Sequence, residues 1–107
     1  MLAAAPFVYA LTARAMEVEV QMHFTSSAVR WLVAGVADAA FTDQGRTKTV
    51  RDFIVEARQA GVALYACSMA LAEHRHSDEQ LIDGVKMAGA ATVIGASVED
   101  GVRTLVF

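Results

Sequence analysis

Between Gly61 and Ser68 lies an unbroken apolar run, Val62-Ala63-Leu64-Tyr65-Ala66-Cys67. It is too short for a helix of its own, and the glycine before it is a common helix stop. The run therefore reads as a strand buried on both faces, the character of an interior strand in a parallel sheet. Parallel strands need crossovers, usually helical, so the rest of the chain should alternate helix with strand.

It does. Phe7, Ala10, Leu11 and Ala15 recur at helical spacing, and Pro6 is tolerated in a first turn, so residues 5–16 are expected to be a helix. The period then drops to two. Val18, Val20, Met22 and Phe24 alternate with Glu17, Glu19, Gln21 and His23, which predicts a strand with one wet face, at a sheet edge or a subunit boundary. Residues 26–33 suit a short helix, and 34–48 a loop with a helical turn near Ala37–Phe41. Thr49 can cap the next helix, with Asp52 in its first turn. Ser77-Asp78-Glu79-Gln80 has the capping-box pattern and predicts a short helix ended by Gly84. Val85–Ala90 reads as a strand, Thr92–Glu99 as a short helix closed by Asp100-Gly101, and Val102–Phe107 as a last strand. The fold class expected is α/β with a mostly parallel sheet.

Composition bounds the function classes. The 107 residues make one domain, 1–107, with 55% hydrophobic and 20% charged residues. So apolar a chain does not stay disordered. One cysteine excludes a disulfide scaffold, and a net charge of -3 offers no clustered basic face, so neither nucleic acid nor a membrane surface is expected as a partner. No apolar run approaches the roughly 20 residues of a membrane span. Residues 2–11 lack a preceding basic residue, and Arg14 would fall inside a cleavage site, so no leader is expected. With a lone thiol, this points to the cytoplasm. A domain this small leaves roughly a third of its unfolded surface exposed. The apolar excess therefore predicts a homo-oligomer.

Ligands of open α/β sheets bind beyond the carboxyl ends of the strands, and Cys67 ends the central one. Amides of Ser68 and the residues after it could support its thiolate, the reactive form. His74 and His76 lie close enough in sequence to add charge. Without a Cys-x-x-Cys partner, Cys67 can carry a group or form a mixed disulfide, but not a dithiol cycle. The other reading is a packed, inert thiol. His74-x-His76 with Glu73 and Cys67 offers zinc-type ligands, yet no second pair completes a site. The pattern suits a solvated loop, and neither metal nor cofactor is expected. His23 reads as a surface or interface residue.

Four passages resemble the DsrE/DsrF-like sulfur-relay family. They are Ala15-Met16 running into Val18–Thr25; Val33-Ala34-Gly35-Val36; Ala60–Met69; and Leu81–Ala91 with the closing Arg103–Phe107. The resemblance implies a flavodoxin-like three-layer sandwich, oligomers such as trimers or hexamers, and sulfur donor and acceptor proteins as partners. It also implies a persulfide carried on one cysteine, whose position Cys67 occupies. Members usually begin with a strand before the first helix. This chain starts in that helix, so the first family strand is expected to be missing, its place covered by another chain or a rearranged strand. Residues 68–76 differ from those that follow the cysteine in the family's sulfur carriers. The alternative of the same fold is an oligomeric binding or assembly module with Cys67 only packed.

Overall fold

The computed structural model describes residues 5–41, 48–76, 78–98 and 101–106. Helix α1 (Ala5–Ala15) leads into strand β1 (Glu19–Phe24), and 3-10 turns follow at Ser26–Leu32 and Ala37–Ala39. Then come α2 (Val50–Gln59), β2 (Ala63–Cys67), α3 (Ser68–His74), β3 (Lys86–Ala88), α4 (Ala90–Ser97) and β4 (Val102–Val106). The strands form one sheet in the order β3-β2-β1-β4, and every pairing is parallel. Helices flank it, as a flavodoxin-like sandwich requires.

One face of the sheet holds the main core. Val20, Met22 and Phe24 of β1 and Leu64 and Ala66 of β2 point to it, under α1 and α2. Phe7 of α1 stacks on Phe53 of α2 at 5.7 Å between centroids and lies 6.2 Å from Phe24. Three elements thus meet at one aromatic contact, where edge and stacked geometries add to area burial. Arg14 closes the same layer. Its Nε donates to the Ala60 carbonyl at 2.8 Å and its Nη1 to the Val18 carbonyl at 3.2 Å, tying the end of α1 to the end of α2 and the approach to β1.

Helix α2 starts where the sequence predicts. The Thr49 hydroxyl accepts from the Asp52 N–H at 3.1 Å, and the Asp52 carboxylate accepts from the Thr49 N–H at 2.9 Å. These contacts satisfy first-turn amides that have no partner in the helix, and they hold the Asp52 carboxyl below its usual range. Gly61, at φ +91°, supplies the left-handed turn between α2 and β2.

Two expectations are corrected. β1 is not an edge strand. It pairs with β2 on one side and β4 on the other, in the registers Met22↔Leu64 and Met22↔Leu105. The described strands therefore form a continuous sheet, with β4 alongside β1. On its more polar face Glu19 is exposed and Gln21 half-buried, as the alternation predicts, but His23 is buried and meets Gln21 at 3.1 Å. The second correction concerns residues 78–83. Ser77 lies outside the described residues, and the described residues 78–84 form no helix. The Ala34 N–H donates to the Gln80 carbonyl and the Ile82 N–H to the Leu32 carbonyl, each at 2.8 Å, with an antiparallel bridge between Val33 and Leu81. Glu79 is drawn into an ion pair with Arg30. Tertiary partners take the groups that a helix would have used. Residues 42–47 of the expected 34–48 loop, together with Glu99, Asp100 and Phe107, lie outside the described residues.

Thr49→Ala should lower unfolding free energy by about 1 kcal/mol. Phe7→Ala should lower it by roughly 3–5 kcal/mol, since it removes a ring with no exposed area. Denaturant titration of both variants checks the order.

Candidate functional site

Alternation along the strands sends one set of side chains to the second face of the sheet. Parallel partners share a face, so the registers His23↔Tyr65 and Cys67↔Ala88 place His23, Tyr65, Cys67 and Ala88 together there. Helix α4 crosses this face between β3 and β4. Between α4 and the carboxyl ends of the strands lies a cavity of about 260 Å³. Its wall is His23 and Thr25 from the end of β1, Cys67 and Met69 from the β2–α3 junction, Ala88 and Gly89 from the end of β3, and Val93 and Ile94 of α4.

Cys67 is half-buried and sits at the N-cap of α3, with extended backbone at φ −65°, ψ 122°. Its thiol makes no capping hydrogen bond. Ala70 and Leu71, buried against Val29 and Leu32, anchor this short helix in the core. A second opening of about 220 Å³ reaches Cys67 from the other side, past Thr25, Ser26, Met69, Ala70 and Glu73. Ser26 is in the left-handed region at φ +48°, which turns the chain away sharply after β1 and leaves room beside the cysteine.

His23 is the polar residue that sequence reasoning placed on the surface or at an interface. It is 1% exposed. Its ring stacks on Tyr65 at 4.6 Å and 9°. Nε2 faces Gln21 Oε1 at 3.1 Å, whereas Nδ1 is buried and has no hydrogen-bond partner. Since the Gln21 oxygen accepts, Nε2 is assigned the proton and Nδ1 is left as an acceptor. Burial pushes the His23 pKa down, because the charged ring would lose its hydration. The signal in the sequence was the parity of β1. His23 shares its face with the odd positions of β2, including Cys67, once the two strands pair in parallel.

Ser68 opens α3 beside Cys67 and is exposed. His74 and His76 line neither cavity. His74 ends α3, with Nε2 3.9 Å from a Glu73 oxygen, and its carbonyl accepts from Arg30 Nη1 at 3.0 Å. His76 is exposed, and its N–H donates to Glu79 Oε1 at 2.8 Å. Arg30 and Glu79 thus hold the backbone after α3 in an extended path, which carries His76 out to solvent. Among the described residues no three His, Cys, Asp or Glu side chains converge on a cation site. No helix of the described residues is long and apolar enough to cross a membrane.

The chain is thus an α/β sandwich on a parallel sheet, with its one thiol at the end of an interior strand. The chain belongs to the DsrE/DsrF-like family, whose model matches residues 2–107. The family suggests a role in sulfur relay. No curated protein matches the sequence.

The neutral, buried His23 has a consequence for stability. Its folded pKa lies below the ordinary value of about 6.5, so below that pH the unfolded chain binds a proton that the folded chain refuses. Its contribution to stability is full above about pH 6.5 and is lost as the pH falls toward the depressed folded value. The drop in unfolding free energy between about pH 7.5 and pH 5 should shrink in His23→Phe, which keeps an aromatic ring beside Tyr65 but cannot titrate.

Proposed function

We propose that the protein is a sulfur-relay carrier that holds sulfane sulfur as a persulfide on Cys67. The observation that carries this reading is the position of the thiol. It ends an interior parallel strand, lines a cavity at the carboxyl edge of the sheet, and lies where first-turn amides of α3 are free of intrahelical partners. The thiolate attacks the outer sulfur of a donor persulfide, the donor's S–S bond breaks, and the donor leaves as a thiolate. An acceptor thiolate then repeats the exchange on the Cys67 persulfide and frees Cys67. Neither step needs an external oxidant or reductant. Ser68 contributes its N–H at the start of α3. His74 and His76 lie outside both cavities and are assigned no step. Donor and acceptor proteins are the partners this cycle requires.

A second reading draws on a different observation. Ile94 and Val98 on and after α4, and Val106 on β4, are all more than half exposed on the side of the sheet that α4 covers thinly. An assembly module would bury them against another subunit and leave Cys67 merely packed. In that case the thiol reacts only after unfolding.

Mass measurement after exposure to a persulfide donor separates the two. A gain of one sulfur atom in the native protein, absent in Cys67→Ser, is the expected result. A native Cys67 that neither gains sulfur nor reacts with thiol reagents would sink the carrier reading. Sedimentation of the wild type and Cys67→Ser should give the same subunit count, because the thiol takes no part in assembly.

A further inference from the structure

The two openings at Cys67 differ from an anion site in a definite way. In the larger cavity, Met69, Ala88, Val93 and Ile94 surround the thiol, and no described residue of its wall carries a formal charge. The one polar ring, His23, is kept neutral by burial. In the smaller opening the charged residue is an acid, Glu73. An anionic donor such as thiosulfate would therefore shed its hydration against carbon and meet a carboxylate instead of a cation. Isolated charge is the most costly thing to bury in such a wall.

Beneath the wall, the His23 ring also carries an unmet demand. His23 Nδ1 is buried, is left as an acceptor by the Gln21 contact, and has no partner. A buried acceptor left alone is costly and is normally satisfied. What fits the wall is a small group with an apolar body and no formal charge.

We propose that the Cys67 cavity takes its sulfur donor as a small, uncharged organic hydropersulfide, R–S–SH, with the apolar R group against Met69, Val93 and Ile94. This rests on the persulfide-carrier reading and names its substrate class. The apolar wall disfavours ionisation of the donor, and the un-ionised form is the one whose outer sulfur is electrophilic. The Cys67 thiolate forms a bond to that outer sulfur, the S–S bond of the donor breaks, and R–S⁻ leaves with the bonding pair. The proton stays on the transferred sulfur, giving Cys67–S–SH with one negative charge on each side of the step.

Size-matched thiol reagents test the wall directly. The rate of Cys67 modification by butyl methanethiosulfonate is compared with that by its anionic 2-sulfonatoethyl analogue, in the native protein and in the denaturant-unfolded chain. The native protein should prefer the neutral reagent by more than about tenfold beyond the preference of the unfolded chain. Glu73→Gln should keep most of that preference, because the wall and not the acid imposes it. A native ratio equal to the unfolded one overturns the inference while leaving Cys67 a competent carrier. A preference that disappears in Glu73→Gln overturns it as well, since a charge at the opening would then be the whole cause. A native Cys67 inert to both reagents overturns this inference and the carrier reading together.

Discussion

Strand β1 lies between two partner strands, and most of the structure follows from that. Pairing with β2 on one side and β4 on the other leaves it no free edge. Successive side chains of a strand must point to opposite faces. Phe24 then enters the aromatic contact with Phe7, while His23, one residue earlier, must go to the opposite face. The same parity in β2 sends Ala66 to the core and Cys67 to the side of His23. The core and the candidate site are therefore two sides of one constraint, and a slip of one residue in register would exchange them.

The two faces are built differently. The α1–α2 face is deep, with Phe7, Phe24, Met22 and Val20 almost fully enclosed. The other carries the one short helix α4, most of whose described residues are exposed. A thin cover is what leaves a cavity beside Cys67. It is also why the site combines features that rarely coexist in a packed interior: a half-buried thiol, a neutral buried imidazole with an unpaired nitrogen, and open volume.

Much of the architecture was legible in the residues. The apolar run at 62–67, the Thr49 cap answered by Asp52, and Gly61 before β2 each act through local backbone chemistry, so they could be read without a fold. The helix expected at 78–83 could not. A capping-box pattern counts only the partners that Ser77 to Gln80 offer one another, whereas Arg30, 49 residues away in sequence from Glu79, claims the carboxylate. Likewise, alternation reports which face of β1 is less apolar, and not whether water reaches each position on it: Glu19 is exposed, whereas His23 on the same face is buried. His23 was missed for that reason, and the weight given to His74 and His76 came from closeness in sequence, which the extended path after α3 undoes.

The sequence by itself determined the alternation of helix and strand, the family, and the single thiol at the end of a central strand, because these depend on local periodicity, capping and residue type. Only the tertiary structure decided the strand order, the burial of His23, and which residues share a wall with Cys67. Those depend on which strands lie side by side, and hydrogen bonds between strands join residues far apart in the chain, whose pairing no local pattern encodes.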